Sequence, residues 1–352
     1  MRTVILKVNR EEPEIDRIRA AAEIIRKGGL VAFPTETVYG LGADALNPEA
    51  VARIYTAKNR PPDNPIIVHV ASRDEACRLT EEVPANARKL MDTFWPGPLT
   101  LVLKASGLVP RITTGGLDTV AVRMPGLKVT LALIAESGAP IAAPSANLAG
   151  RPSPTTAEHV RQDLDGRIDL ILDAGPTKVG VESTVVDLTV DPPQILRPGG
   201  VPYEELKSTL DRVELHPVVL AEREIPLVQA RSPGMKHRHY APNAKVIVVE
   251  GRMDAIVTKV QELADQHRKT GKSVGILATG ETESRYRADS VRSLGSRRDL
   301  ASAAKNLFKL LREFDEDKVD IIVAEAVPPE GLGLAVMNRL RKASGFNIIR
   351  AD

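Results

Sequence analysis

The sequence contains one cysteine and few aromatic residues, and each shortage excludes a class of protein. A single cysteine, Cys77, rules out an internal disulfide and a zinc site built from several thiolates. A lone thiol suits a reducing compartment, so we expect a cytoplasmic protein. Aromatic residues make up only 3% of the chain, which argues against broad platforms for base stacking.

Long apolar runs and an excess of one charge are also missing. The chain has 48 Lys and Arg against 46 Asp and Glu, so no fold-wide grip on nucleic acid is indicated, although a local basic patch stays open. No apolar run reaches about 18 residues, so we predict no membrane span. The N-terminal segment turns charged after a few apolar residues, unlike a secretory signal. The 352 residues, 43% of them hydrophobic, can form two domains with buried cores.

Strands and helices alternate over the first two thirds of the chain. Apolar segments such as "LVAF" and "DTVAVRM" predict strands, whereas "PEAVARIYTAK" and "VTLALIAES" have helical periodicity. Three strands follow one another closely after residue 170, which favours a sheet that is not purely parallel. We therefore predict an N-terminal mixed-sheet α/β domain over residues 1–212.

The remainder of the chain predicts a linker and a second domain. Residues 213–243 include "RSPGMKHRHYAPNA", which is rich in helix breakers and lacks periodicity, as linkers do. Residues 244–352 return to a regular β-α-β series, the pattern of a small doubly wound, Rossmann-like domain. "TGKS" (Thr270–Ser273) and "GLGADA" (Gly40–Ala45) resemble nucleotide fingerprints. We reject the first because its earlier glycine is missing and it stands between a helix and a strand in the wrong order. We reject the second because "PTETVY" separates its glycines from the preceding strand.

The stretch "FPTETVYGLG", residues 33–42, leaves a predicted strand with unusually many hydrogen-bonding groups. Thr35 and Thr37 flank a carboxylate, and a tyrosine and two glycines follow. Glycine lets a backbone approach a ligand closely. The composition is typical of a small-molecule site rather than of a plain connection.

Three cations stand near the ends of predicted elements, and each has two interpretations. Lys58 and Arg60 could oppose the dipole of the helix that they end. Because the chain returns at once through Asn64 into a strand ending at His69, they could also neutralise a polyphosphate. Arg123, on an alternating strand, could be an edge-strand charge or could bind a carboxylate through two parallel bonds.

The segment "APSANLAGRPSPT", residues 143–155, follows a short apolar strand. Its Ser145, Asn147 and Ser153 are small hydrogen-bonding residues. Such a segment is either a turn-rich surface loop or a holder of nucleotide phosphates and bases. Ser183 at a strand start and Arg197 in "ILRPGG" are weak signals when taken alone.

Taken in order, these segments resemble the YrdC family. The shared segments are "FPTETVYGLG", the Lys58-x-Arg60 pair, "NPIIVHV", "WPGPLT", "VAVRMP", "APSANLAGRPSPT", "ESTVVDL" and "LRPGG". Lys-x-Arg followed by Ser-x-Asn is that family's signature. The linker and the Rossmann-like domain resemble the longer, Sua-type branch, the threonylcarbamoyl-AMP synthases. The resemblance covers nearly the whole chain, but it rests on layout and short segments in the second domain.

The resemblance implies a reaction and its partners. L-Threonine, bicarbonate and ATP would give L-threonylcarbamoyl-adenylate and pyrophosphate, with Mg²⁺ accompanying the ATP. Other proteins would then transfer the threonylcarbamoyl group to adenosine 37 of tRNAs that read codons beginning with A. No side chain has to form a covalent bond, so catalysis would consist of positioning and charge stabilisation.

The resemblance also implies roles for particular residues. Lys58 and Arg60 would be catalytic and would bind the ATP phosphates. The other expected ATP ligands are Asn64, Thr119, Ser145, Asn147, Ser153, Arg197, His239 and Tyr240. The residues expected at L-threonine are Thr35, Thr37, His69, Arg123, Ala143 and Ser183. The "PTETVYG" stretch would form one wall of this pocket, and no metal-ligating side chain is expected.

The linker and the rival functions complete the sequence-based hypotheses. "SPGMKHRHYAP" is too polar to pack as a core element, and we expect it to close over the nucleotide as a lid, with a passive tether as the alternative. The main rival function is an RNA-binding module of the same fold, which would be the source of a weak RNA contact. A carbamoyl-transfer domain of the hydrogenase-maturation type is disfavoured, because the cysteines that accompany such domains are missing.

Overall fold

A computed structural model describes residues 2–223, 225, 230–233, 235 and 239–352. The chain divides into two compact units. The first contains Met1–Ala149, Ser153–Val219 and Pro226–Lys236, and the second contains Gly150–Pro152, Leu220–Ile225 and His237–Asp352. The boundaries predicted from the sequence, 1–212, 213–243 and 244–352, stay a prediction. None of the helices in the described ranges is long and apolar enough to cross a membrane.

The first unit is built on an eleven-stranded mixed sheet. Its strands are β1 (Val4–Lys7), β2 (Val31–Pro34), β3 (Tyr39–Asp44), β4 (Ile67–His69), β5 (Leu99–Lys104), β6 (Thr119–Arg123), β7 (Ile141–Ala142), β8 (Leu170–Asp173), β9 (Thr184–Asp187), β10 (Gln194–Arg197) and β11 (Glu214–Leu215). They lie in the order β1-β8-β2-β3-β7-β4-β6-β5-β9-β10-β11. The sheet contains parallel pairs such as β4 with β6 and antiparallel pairs such as β5 with β6, which confirms the predicted mixed sheet.

Helices cover both faces of this sheet. They are α1 (Ile15–Arg26), α2 (Pro48–Lys58), α3 (Arg73–Leu79), α4 (Ala85–Phe94), α5 (Lys128–Ser137), α6 (Ala157–Leu164), α7 (Tyr203–Thr209) and α8 (Pro217–Leu220). Successive residues of β2 enter different cores, because side chains alternate along a strand. Phe33 packs with Ile18 and Leu133, whereas Ala32 belongs to the cluster of Ile54 and Leu101. The ends of the central strands are thereby held between two buried layers.

Two parts of the first unit differ from the sequence-based expectation. "YGLGAD", interpreted as part of a loop, forms β3, which pairs antiparallel to β2 with Phe33 opposite Gly40. This pairing also supports the rejection of a dinucleotide fingerprint, because such a fingerprint joins a strand to a helix. The predicted linker begins with ordered structure, since β11 and α8 lie within residues 213–220.

The second unit has a small parallel sheet, as predicted. Its strands are β12 (Lys245–Gly251), β13 (Val274–Ala278), β14 (Ser290–Ser293), β15 (Ile321–Glu325) and β16 (Ile348–Ala351), and its helices are α9 (Met253–Lys269), α10 (Leu300–Glu316) and α11 (Leu332–Ala343). The strand order is β14-β13-β15-β12-β16, and every pair is parallel. The sequence missed the short strands β14 and β16. The doubly wound fold class is confirmed.

Candidate functional site

The end of α2 is fixed by local chemistry on both sides. The Asn47 side chain accepts hydrogen bonds from the backbone N–H of the first turn, and Pro48 supplies the first helical residue. At the other end Asn59 adopts a left-handed conformation with φ of 52°, which stops the helix. Lys58 and Arg60 therefore flank a sharp change of direction.

Lys58 points across to the loop of residues 143–155. It is 1% exposed, and its Nζ donates to the backbone carbonyls of Ser145 and Asn147. The Lys58 carbonyl in turn accepts from the N–H of Ala149 at 2.9 Å. The two halves of the Lys-x-Arg and Ser-x-Asn pattern are thus in direct contact. These bonds go to another segment, so opposition to its own helix dipole is not the main role of Lys58.

Arg60 shapes the turn that leads into β4. Its Nη2 donates to the carbonyls of Asn64 at 3.3 Å and Pro65 at 3.1 Å. Asn64 is 2% exposed, and the Tyr55 hydroxyl also donates to its carbonyl at 3.1 Å. The side-chain oxygen of Asn64 is buried and has no hydrogen-bond partner among the described residues. A buried amide oxygen without a partner can accept a hydrogen bond from a ligand.

The segment after β2 is held in one conformation by its threonines. The hydroxyls of Thr35 and Thr37 lie 2.7 Å apart, and the Thr35 hydroxyl donates to the Val38 carbonyl at 2.7 Å. The loop before β9 runs alongside, because the N–H of Gly180 donates to the Thr37 carbonyl at 3.1 Å. Both threonines are buried. The segment forms a rigid polar wall.

Arg123 ends β6 and lies inside the sheet, between β4 and β5. The edge-strand interpretation of this residue is therefore wrong. Its side chain is 4% exposed and makes a 2.7 Å ion pair with Glu36. Nη1 donates to the Thr37 hydroxyl at 3.0 Å, and Nε donates to the Gly97 carbonyl at 3.2 Å. The planar guanidinium is thereby fixed against the polar wall.

His69 ends β4 directly beside Arg123 in the parallel pairing. Burial and the neighbouring charge of Arg123 lower the pKa of His69 to about 3, so the imidazole is neutral at physiological pH. Its ring meets the ring of Phe33 edge to face at 6.2 Å. Nδ1 is buried and has no hydrogen-bond partner among the described residues. Like the Asn64 oxygen, it is suited to a ligand contact.

Ser183 and Arg197 come together at the start of β9. Arg197 donates to the Ser183 hydroxyl through Nη2 and to the Ser183 carbonyl through Nε, each at 3.1 Å. The hydroxyl also lies 2.8 Å from that of Thr100. The backbone at Gly199 passes close to the residue before Ser183. A Cβ at this position would lie 2.3 Å from the Glu182 carbonyl oxygen, so only glycine fits. Two weak sequence signals therefore belong to one cluster.

Three further predicted residues occupy separate positions. The Ser153 hydroxyl donates to the buried Glu182 carboxylate. The N–H of Ala143 donates to the carbonyl of Ile67 in β4 at 2.9 Å. Thr119 begins β6, four residues before Arg123, and at a rise of about 3.3 Å per residue it lies roughly 13 Å away. Thr119 and Arg123 would therefore contact different ends of an elongated ligand.

His239 and Tyr240 belong to the second unit. Tyr240 is 4% exposed, stacks on Phe308 with 5.3 Å between ring centroids, and lies 5.3 Å from the Arg339 guanidinium. The expected contact of this pair with ATP stays a prediction. Gly234, Lys236, His237 and Arg238 of the expected lid lie outside the described residues.

Sequence reasoning did not assign roles to Glu36, Thr100 and Glu182. Glu36 was in view as the carboxylate of the "PTET" stretch, and Glu182 directly precedes Ser183. Thr100 gave no signal, because a threonine inside an apolar strand is unremarkable. Its position beside Ser183 follows only from the parallel pairing of β5 with β9.

The described part of the pocket combines cations with hydrogen-bonding groups. Lys58, Arg60, Arg123 and Arg197 are buried, and each is fixed by carbonyls or hydroxyls of neighbouring segments. Such an arrangement can hold anions and stabilise developing negative charge without forming a covalent intermediate. The fold and these side chains define a two-unit α/β protein with a candidate anion-binding site in its mixed-sheet unit.

Comparison with family models narrows this class. Residues 23–199 match the Sua5/YciO/YrdC model, described as telomere recombination, and residues 201–345 match a model described as the C-terminal domain of threonylcarbamoyl-AMP synthase. The chain belongs to the Sua5/YciO/YrdC family, and it has both domains of the two-domain members. The resemblance inferred from the sequence is confirmed.

Individual relatives agree over nearly the full length. Proteins named threonylcarbamoyl-AMP synthase from Pyrococcus abyssi and Bacillus subtilis are 54% and 50% identical to the chain. The alignments cover 99% of the chain and 99% of the first relative, and 95% of the chain and 94% of the second. The crystal structure of P. abyssi Sua5 complexed with L-threonine superposes with a TM-score of 0.94 at 53% identity. That match covers 99% of this chain and 100% of the other.

Proposed function

We propose that this protein is a threonylcarbamoyl-AMP synthase. It condenses L-threonine, bicarbonate and ATP into L-threonylcarbamoyl-adenylate, with release of pyrophosphate and water. The observation that carries the proposal is the contact of Lys58 with the Ser145–Asn147 loop. That contact places a buried cation beside a loop suited to phosphates, in a chain whose close relatives have this name.

Threonine occupies the end of the pocket formed by β4, β6 and the polar wall. Arg123 binds its carboxylate, since Nη1 and Nη2 each carry a second N–H besides the one directed at Thr37 or Glu36. Neutral His69 offers Nδ1 as an acceptor or donor to the substrate hydroxyl. Thr35, Thr37, Ala143 and Ser183 line the remainder. A pocket that pairs every polar group of threonine rejects apolar analogues strongly.

ATP occupies the end formed by α2 and the loop of residues 143–155. Lys58 and Arg60 neutralise the phosphates and the departing pyrophosphate, and the side-chain oxygen of Asn64 accepts from the nucleotide. The other residues that we assign to ATP are Thr119, Ser145, Asn147, Ser153, Arg197, His239 and Tyr240. The carboxylate of N-carboxy-threonine attacks the α-phosphorus, and pyrophosphate leaves. Adenylyl transfer of this kind depends on orientation and charge rather than on a nucleophilic side chain.

Mg²⁺ enters with the triphosphate in this proposal. No group of three or more His, Cys, Asp or Glu side chains suited to a metal ion occurs among the described residues. The Glu182 carboxylate accepts from Ser153, and Oε1 of Glu36 pairs with Arg123. We propose that the protein holds the ion through the phosphates that Lys58 and Arg60 bind.

The product is an activated acyl group, and it needs an acceptor. We propose that separate tRNA-modifying proteins in the cytoplasm take the threonylcarbamoyl group to adenosine 37 of tRNAs that read codons beginning with A. RNA binding without synthesis is the alternative, and a weak RNA contact is compatible with either function. Threonine-dependent release of pyrophosphate from ATP distinguishes them. Binding of RNA without any such release would favour the alternative.

A further inference from the structure

Glu36 occupies the middle of the polar wall, between Thr35 and Thr37. Its Oε1 lies 2.7 Å from Nη2 of Arg123, and its side chain is 13% exposed. Oε2 is buried from solvent and has no hydrogen-bond partner among the described residues. An ionised oxygen in that state is costly unless a ligand supplies a donor.

The position of this carboxylate is set on two sides. The backbone carbonyl of Glu36 accepts from the N–H of Val179 at 2.9 Å, which ties the segment to the loop before β9. The side chain is held by Arg123, whose Nε and Nη1 are engaged by Gly97 and Thr37. Glu36 is thus preorganised rather than free to swing toward solvent.

The charges of this pair are complementary to an α-amino acid. Such a substrate carries a carboxylate and an ammonium on neighbouring atoms, and Arg123 and Glu36 present a cation and an anion 2.7 Å apart. A carboxylate bound to Arg123 brings the adjacent nitrogen within reach of Glu36. Charge-assisted hydrogen bonds are the stronger class of hydrogen bond in proteins.

We propose that Glu36 is a specificity-determining residue that recognises the amino group of the substrate through Oε2. This inference rests on the proposed function, in which Arg123 receives the threonine carboxylate. Threonine donates an ammonium N–H, and its N-carboxylated form keeps one N–H on the same nitrogen. One acceptor therefore serves the substrate before and after carboxylation. An analogue without the amine leaves Oε2 buried and unsatisfied, and the pocket rejects it.

Equilibrium binding without ATP tests this proposal. Isothermal titration calorimetry would compare L-threonine with (R)-3-hydroxybutanoate, which keeps the carboxylate and the hydroxyl but has hydrogen in place of the amine. We expect the wild type to prefer threonine by about 10- to 100-fold, the worth of one charge-assisted bond. In Glu36→Gln that preference should fall by about tenfold or more, through weaker threonine binding, while the analogue binds nearly as before.

The outcomes separate recognition of the amine from support of Arg123. If Glu36→Gln lost affinity for both ligands equally, Glu36 would only hold Arg123 in place, and the proposal would be overturned. Unchanged binding of both ligands would overturn it as well. Glu12→Gln, at an exposed position, is the matched control and should keep the wild-type preference. Glu36→Asp is a second variant, and it should lose part of the preference because its carboxylate is one methylene shorter.

The wild type alone also bears on the proposal, whether or not the variants fold. A wild type that makes adenylate but binds the amine-free analogue as tightly as threonine overturns the role of Glu36 and leaves the function standing. A wild type that makes no adenylate overturns the function itself.

Discussion

Removing His69 should change how the stability of the first unit depends on pH. Burial and Arg123 lower the pKa of His69 from 6.5 to about 3. In the unfolded chain the imidazole takes up a proton as the pH falls below 6.5, whereas in the folded unit it stays neutral. The stability contributed by neutral His69 is therefore complete above pH 6.5 and is lost as the pH falls toward 3.

The magnitude follows from the two pKa values. At pH 4.5, two pH units below the unfolded pKa, the folded state has lost about 3 kcal/mol of stability relative to pH 8, at about 1.4 kcal/mol per unit. His69→Gln cannot take up a proton, so its free energy of unfolding should fall by about 3 kcal/mol less over the same range. His216, whose pKa burial also lowers, is present in both proteins and cancels in the comparison.

Urea unfolding followed by tryptophan fluorescence measures this difference in the first unit, which contains His69. Trp95 is the sole tryptophan of the chain, is 5% exposed, and donates from Nε1 to the Leu99 carbonyl at 2.7 Å in the first unit. Its emission therefore reports the unfolding of that unit. Parallel stability curves for wild type and His69→Gln between pH 8 and 4.5 would refute the reasoning, because they would mean that folded His69 takes up a proton normally.

The remaining predictions concern the two ends of the pocket and the expected lid. Lys58→Ala or Arg60→Ala should cut adenylate formation about 10- to 100-fold or more, since each removes charge-assisted bonds worth about 1.5–3 kcal/mol apiece; near-normal turnover in a folded variant contradicts the role. Arg123→Ala should raise the KM for threonine far more than that for ATP, and Arg123→Lys should restore only part, whereas a selective loss of ATP affinity would reassign the residue. His239→Ala combined with Tyr240→Ala should cripple synthesis if the linker closes over the nucleotide, and a normal rate would make it a tether.

Local chemistry explains which elements could be predicted from the sequence. The segment "PEAVARIYTAK", residues 48–58, was predicted to be a helix and forms α2, whose start the structure shows to be fixed by Asn47 and Pro48. β3 was missed because "YGLGAD" contains two glycines and no alternation. It becomes a strand by pairing with β2 and with β7, which comes from a distant part of the chain. Tertiary pairing of this kind overrides local propensity.

The candidate site could likewise be predicted only in part from the sequence. The residue types and the order of the motifs identified a pocket, but the contacts within it are long-range. Lys58 meets Asn147 across 89 positions, and Arg123 meets Thr37 across 86. The lowered pKa of His69 depends on burial, which spacing alone cannot specify. The pairing of Glu36 with Arg123 was not foreseen, because neither interpretation of Arg123 gave it a counter-ion within the chain.

The central claim is synthesis of a threonylcarbamoyl-adenylate, and the fate of the bicarbonate carbon tests it most directly. The protein would be incubated with Mg-ATP, L-threonine and ¹³C-bicarbonate, and the adenylate analysed by mass spectrometry. The account predicts a threonine-dependent adenylate that carries the ¹³C label, formed together with pyrophosphate. Pyrophosphate release that does not require threonine, or an adenylate without the label, would contradict it.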